Sequence, residues 1–282
     1  MKLLVSGCSY TENASWPKIL FGDRVGEILN PAKAGAGNNY ISNSVTYHAP
    51  AFQPDFVYIL WSGINRIELR TSNTNLFRSY GAIARYRQVE LGNSIYYLSG
   101  HALDPEYGWL AAYNIIKDKS WPEINNLQQW FDLPEKIKKE CLNHKIYLSS
   151  YGGKENSAAF CNQYFLMQNL VEDRLYQSEL TFQNIVNCCN LLEKLRVPYR
   201  FSFIYDIWNK NEFRAHGRAM KEFYYSQIDW TKFIDLPPYN FGVKHDLLGE
   251  DDYHLTDEGM TLWAGEIQKI LQADPALTNL FK

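Results

Sequence analysis

The feature that most constrains this chain is the unbroken apolar run Phe56-Val57-Tyr58-Ile59-Leu60-Trp61, entered from Pro54-Asp55 and left at Ser62-Gly63. A strand with one face in water alternates polar and apolar residues, so a run with no polar position predicts a strand covered on both faces. Such strands belong to parallel sheets packed between layers of helices. Residues 2–6, a short apolar run ending at Gly7, and residues 199–205, ending before Asp206, also read as strands. Residues 232–236 predict one more short strand before Pro237-Pro238.

Helical spacing fills the intervals. Trp16, Ile19, Leu20, Val25 and Ile28, with Pro17 suited to a first turn, predict a helix over 16–29. A Gly, Ala and Asn-rich segment, 30–39, precedes a second helix over 40–48. Phe182, Ile185, Val186, Cys189 and Leu192 predict one long helix or two within 168–195, stopped by Pro198. Near the C-terminus Thr256 can cap a helix whose first turn carries Asp257 and Glu258, with Leu262, Trp263, Ile267, Ile270 and Leu271 as its apolar stripe. Strands alternating with helices give an α/β class with a central parallel sheet. Residues from about 71 to 165 break the alternation and read as a large, mainly helical, aromatic-rich insertion. With 282 residues and no Gly/Ser or Pro linker, the chain reads as a single domain over 1–282 carrying that insertion.

Charge and cysteine usage narrow the function classes. The formal charge of −3 offers no global positive field for a phosphate backbone, so nucleic acid is not the expected partner. The longest apolar runs fall well short of the ~20 residues of a membrane helix, and Leu3-Leu4-Val5 is too short for a signal-peptide core, so no membrane partner is expected. Five cysteines without a C-x-x-C pair favour reduced thiols and a cytoplasmic location. Aromatic residues, 15% of the chain, imply either a rich core or exposed stacking platforms.

In an open parallel sheet reactive groups gather beyond the carboxyl ends of the strands. The loops expected there carry Ser9 in Gly7-Cys8-Ser9-Tyr10-Thr11, the glycines of Gly35-Ala36-Gly37, Asn65 in Gly63-Ile64-Asn65, and the pair Asp251 and His254. A serine hydroxyl is a poor nucleophile until a base takes its proton, and a histidine base works best when a carboxylate fixes its tautomer. Ser9, His254 and Asp251 can fill these roles. Acyl transfer also needs preorganised donors for the tetrahedral oxyanion, which Gly35 and Asn65 can supply.

These blocks resemble those of the SGNH, or GDSL-type, hydrolases, in which Ser, Gly, Asn and a D-x-x-H pair follow one another in this chain order. Gly7-Cys8-Ser9-Tyr10-Thr11 is similar to the first block, and its GCSYT form resembles those of phage-encoded members. Asn30 with Gly35 is similar to the second, Gly63-Ile64-Asn65 to the third, and Asp251 to His254, continued by Leu255-Thr256-Asp257-Glu258-Gly259, to the last. The resemblance implies a three-layer α/β/α flavodoxin-like fold. It also implies a catalytic triad of Ser9 as nucleophile, His254 as base and Asp251 as its partner. The oxyanion hole would be the N–H groups of Ser9 and Gly35 with Nδ2 of Asn65, and neither metal nor cofactor is implied. The expected activity is that of a serine esterase on small acyl esters, O-acetyl groups on carbohydrates in particular. The resemblance covers the two ends of the chain and leaves 71–165 unread. Two positions depart from the pattern: Cys8 stands where the family usually has Asp, and Arg66 where an Asp often follows the third-block Asn.

Plainer readings stand beside each of these. Ser9 and Thr11 could satisfy turn backbone groups, Asn65 could cap a helix near Arg66, and Gly35 and Gly37 could serve only a turn. Cys8 could be a nucleophile itself, although it should face inward if Ser9 faces the cleft. Asp246, Glu250, Asp251, Asp252 and His254 could be mistaken for a hard-metal cluster, and Cys188-Cys189 reads as packing. Tyr96, Tyr97, Trp109, Tyr113, Trp121 and Trp130 could form a sugar-stacking wall, with core or interface packing the commoner role of such residues. A non-catalytic binding or virion assembly protein of the same fold, and a lipase or thioesterase, are the alternatives to the acetylesterase.

Overall fold

The computed structural model describes residues 1–12, 14–63, 68–71, 86–99, 134, 136, 174–205, 223–249 and 254–282. Its centre is a parallel sheet of four strands, β1 (Lys2–Ser6), β2 (Glu27–Leu29), β3 (Phe56–Trp61) and β7 (Tyr199–Phe203), in the order β2-β1-β3-β7. All six side chains of β3 are buried, the outcome its unbroken apolar run predicts. β1 pairs with β3 so that Val5 lies beside Tyr58 and Ser6 beside Ile59. β7 follows on the far side of β3, with Tyr58 beside Arg200.

The two faces of the sheet are covered by different helices, and strand alternation shows which. Tyr58 meets Trp16 edge-on with ring centroids 5.4 Å apart, and Trp16 in turn meets Trp263 at 5.5 Å. The Tyr58 face therefore carries α2 (Trp16–Ile19) and the C-terminal helix α6 (Asp257–Ala273). Ser6, one residue along, points the other way and shares a hydrogen bond of 2.7 Å with Ser44 of α3 (Asn38–Phe52). α4 (Arg174–Leu195) packs against α3 on that side, where the Cys188 thiol reaches the Ser42 hydroxyl at 3.5 Å. The arrangement is compatible with a three-layer α/β/α fold. Trp16, Trp61 and Trp263 are fully buried, so among the described residues the tryptophan-rich composition goes largely into core.

Several sequence expectations are corrected. The helix expected over 16–29 is only α2, followed by a short 3-10 turn at Gly22–Arg24 and then strand β2 at the sheet edge. Gly22, held at φ +56, breaks the helical spacing that Val25 and Ile28 continue by coincidence. The strand expected over 232–236 is reduced to one parallel bridge, Phe233 beside Phe201, with the Ile234 N–H donating to the Phe201 carbonyl at 2.8 Å. Trp230–Lys232 forms a 3-10 turn, and α5 (Pro238–His245) starts at the second proline as a first-turn proline allows.

Where the insertion is described it is mostly strand; the remainder of 71–165, on which the expectation of a mainly helical insertion falls, lies outside the described residues apart from 134 and 136. β4 (Glu68–Thr71), β5 (Tyr86–Leu91) and β6 (Ser94–Ser99) form an antiparallel sheet in the order β4-β6-β5. Leu91 pairs with Ser94 across the two-residue turn Gly92-Asn93, a hairpin signal that the sequence reading passed over. This small sheet packs on α3 through Tyr96, buried and edge-on to Tyr40 at 5.2 Å. Tyr96 is thus a packing residue. Trp109, Tyr113, Trp121 and Trp130 lie outside the described residues. Among the described residues no helix is long and apolar enough to cross a membrane.

A part-buried ion pair ties the segment after α6 to β7. Arg200, 5% exposed, directs Nε and Nη2 to Oδ2 of Asp274, whose other oxygen takes the Ala276 N–H at 2.9 Å. Burial pushes the Asp274 carboxyl up, but the hydrogen bonds from Arg200 and Ala276 and the charges of Arg200 and Lys232 outweigh it, leaving the carboxyl below its usual value. A carboxyl depressed in the folded state stabilises fully above its unfolded value, about 3.9, and the contribution fades as pH falls toward the folded value. Asp274→Asn is therefore expected to lower the urea midpoint at pH 7, with the gap to wild type shrinking by pH 3. A gap that stays constant across that range would show that the ionised carboxylate contributes nothing.

Candidate active site

Strand order places a crevice between β1 and β3. From β1 the chain runs outward to β2, then returns past β1 to form β3, so the strand order reverses direction there. Ser9 stands two residues beyond Gly7 at the end of β1. The segment expected as a loop is a single helical turn, α1 (Ser9–Glu12), closed by the Thr11 and Glu12 N–H groups donating to the Cys8 carbonyl at 2.9 and 3.0 Å. Gly7 has no room for a side chain: a Cβ there would sit 2.3 Å from Thr11 Oγ1 and 3.0 Å from the Leu60 carbonyl oxygen. The absent side chain lets the turn fold back against β3.

Cys8 is fully buried while Ser9 is half-buried, the divergence expected of adjacent residues leaving a strand. Cys8 therefore has no access to a substrate in this conformation, whereas Ser9 reaches the crevice.

His254 arrives from the other end of the chain. Its carbonyl accepts the Gly249 N–H at 2.7 Å, the Thr256 N–H donates to Leu247 at 2.9 Å, and Leu248 bridges Leu255 in antiparallel fashion. These pairings hold 247–249 against 254–256 just before α6, and Thr256 caps that helix by accepting the Gly259 N–H at 3.0 Å. The result places His254 Nε2 2.8 Å from Ser9 Oγ, across 245 positions of sequence. Tyr10, 1% exposed, lays its ring 4.9 Å from the imidazole and restricts its rotation. Tyr10 is itself fixed by Trp16, whose Nε1 donates to the Tyr10 carbonyl at 2.8 Å.

The turn after β2 joins the same end of the sheet. Asn30 Nδ2 donates to the Thr11 carbonyl at 2.7 Å and its Oδ1 accepts the Ala32 N–H at 3.1 Å, while the Lys33 N–H donates to the Gly7 carbonyl at 3.3 Å. Gly35 and Gly37 separate here. Gly35 adopts φ +83, a conformation costly to any residue with a Cβ, whereas Gly37 is extended and its carbonyl opens α3 by accepting the Ile41 N–H. Of the two, Gly35 is the residue whose identity the backbone demands.

The exit from β3 is held by Asn38. Its Oδ1 accepts the Ser62 N–H at 2.8 Å and its Nδ2 donates to the Ser62 carbonyl at 3.2 Å and to Thr181 Oγ1 at 3.0 Å. The side-chain amide thus continues the ladder of β3 by one residue, where Gly63 begins the next loop. Sequence reasoning passed over Asn38, Tyr10 and the carboxylate of Glu12; only Glu12, one turn after the serine, carried a signal in its spacing. Asn65, Arg66, Asp251 and the acidic residues Glu250 and Asp252 lie outside the described residues. Among the described residues no three His, Cys, Asp or Glu side chains gather as metal ligands would.

Cys188 and Cys189 sit on α4, away from this crevice. Burial pushes the Cys188 thiol up to about 12 and the Cys189 thiol up to about 11, which suits packing rather than nucleophilic chemistry.

A half-buried hydroxyl in hydrogen-bond contact with an imidazole, beside backbone turns rich in N–H groups, can carry out nucleophilic acyl chemistry. No protein-family model matches the chain, and no curated protein matches it.

Proposed function

We propose that this protein is a serine esterase of the SGNH type acting on small acyl esters, with O-acetyl groups on carbohydrates as the preferred class. The observation that carries the reading is the 2.8 Å contact between Ser9 Oγ and His254 Nε2. The order β2-β1-β3-β7, extended by the Phe233 bridge beyond β7, supports the flavodoxin-like form of the three-layer fold that this family uses.

In this reading Ser9 Oγ attacks the acyl carbonyl as His254 Nε2 takes its proton, and the negative charge moves to the carbonyl oxygen. The Ser9 and Gly35 N–H groups and Asn65 Nδ2 donate to that oxygen. Collapse expels the alcohol, which receives the proton from His254. Water then attacks the acyl-serine with His254 again as base, releasing the acid and restoring the hydroxyl. Asp251 holds the imidazole tautomer; its role, like that of Asn65, rests on the family pattern alone.

Two measurements test this. A fluorophosphonate probe is expected to label the chain at one site, mapped by mass spectrometry to Ser9. The wild type is expected to turn over p-nitrophenyl acetate faster than octanoate, because a small-acyl pocket excludes the longer chain. A wild type that neither takes up the probe nor hydrolyses either ester would overturn the esterase reading in favour of a binding or assembly role. A preference for octanoate would assign the lipase or thioesterase alternative.

A further inference from the structure

An oxyanion hole built from the N–H groups of Ser9 and Gly35 uses two separate segments of chain, and their relative placement must be held to a fraction of an ångström. The structure shows what joins them. Glu12 lies in the same helical turn as Ser9, three residues on, and its side chain is only 10% exposed. Its Oε2 accepts the N–H of Ala34 at 2.9 Å, the residue immediately before Gly35. Its Oε1 lies 3.5 Å from Lys33 Nζ, which offsets the cost of burying the charge. Asn30 completes a reciprocal buckle, since its Nδ2 donates to the Thr11 and Glu12 carbonyls at 2.7 and 3.3 Å while Glu12 holds the turn that follows Asn30.

The clamp also bears on Cys8. A carboxylate is not available at that position, where the fully buried thiol fills the space beneath the turn. Glu12 supplies an acidic group to the same loop from its opposite end, and directs it at the backbone of the second loop rather than at the reacting atoms.

We infer that Glu12 is a positioning residue, whose carboxylate holds the Gly35 N–H in register with the Ser9 N–H; the inference rests on the esterase reading above. Glu12 acts on the second loop through the Ala34 peptide, whose N–H its carboxylate accepts. A displacement of this kind, about 1 Å, costs on the order of a hundredfold in rate.

The test uses Glu12→Ala, Glu12→Gln and Lys33→Met in the full chain. Glu12→Ala is expected to lower kcat for p-nitrophenyl acetate about a hundredfold with KM little changed, because the oxyanion develops only after binding. Glu12→Gln retains an oxygen that can accept the Ala34 N–H and is expected to restore most of kcat. Lys33→Met is expected to stay near wild type, since the lysine offsets charge and does not hold the turn. Wild-type kcat in Glu12→Ala, or Glu12→Gln as impaired as Glu12→Ala, would overturn the proposal. Hydrogen exchange at the Ala34 amide separates this inference from the function it rests on. Faster exchange in Glu12→Ala and retained protection in Glu12→Gln support the clamp even if wild type proves inert to esters, whereas unchanged exchange in Glu12→Ala removes the clamp however active the enzyme is.

Discussion

Ser9→Ala is expected to lower kcat for p-nitrophenyl acetate by on the order of 10⁴ to 10⁶-fold, leaving the fold and the thermal midpoint close to wild type. The substitution removes one oxygen atom from a half-buried position, so its structural cost is small, while the reaction loses its attacking atom. His254→Ala should be impaired to a comparable degree, because the hydroxyl without its base is hardly ionised at neutral pH. The two losses should not add. The double variant is expected to match the single ones, since groups that act in one proton transfer fail as a unit. Cys8→Ser should retain turnover, as the Cys8 side chain is fully buried beneath the turn that presents Ser9. Initial rates corrected for hydroxide background decide the matter, and a Ser9→Ala rate equal to wild type would sink the assignment of Ser9.

Trp263→Ala is expected to be the most damaging single core change, costing about 3–5 kcal/mol of stability in urea denaturation. Trp263 is fully buried on α6, meets Trp16 edge-on at 5.5 Å and donates its Nε1 hydrogen to the Leu236 carbonyl at 2.8 Å. Truncation opens a cavity between α6 and α2 and leaves that carbonyl without this donor. Trp263→Phe keeps part of the ring packing but loses the hydrogen bond, about 1 kcal/mol, and opens a smaller cavity, so it is expected to fall between wild type and Trp263→Ala. The effect should reach the site as well. Trp16 holds the Tyr10 carbonyl, Tyr10 packs on the His254 ring, and α6 begins just beyond His254. A Trp263→Ala protein as stable as wild type would show that the Trp16–Trp263 contact is not central to the core.

The places where sequence and structure part have physical causes. Residues 16–29 combine an apolar spacing that suits a helix with two glycines that do not, and the glycines prevail because β2 needs to reach the edge of the sheet beside β1. β2 is only three residues long, too short for alternation to register against a helical period. The antiparallel sheet of the insertion was legible at Gly92-Asn93, yet the burial of Tyr96 depends on α3 and not on any pattern within its strand. Asn38 was silent for a similar reason: an asparagine near a helix start looks like any cap until the end of β3 is seen against its amide.

What the amino-acid sequence determined by itself was local and periodic. The apolar run of β3 dictated a strand buried on both faces and Thr256 dictated where α6 begins, whereas the choice of Gly35 over Gly37 and the close approach at Gly7 were settled by the folded backbone. Only the tertiary structure decided that Ser9 and His254 touch and that Glu12 reaches Ala34. A hydrogen bond depends on a few tenths of an ångström between groups 245 residues apart, and that distance is set by how β1, β3 and α6 pack together rather than by any residue near either group.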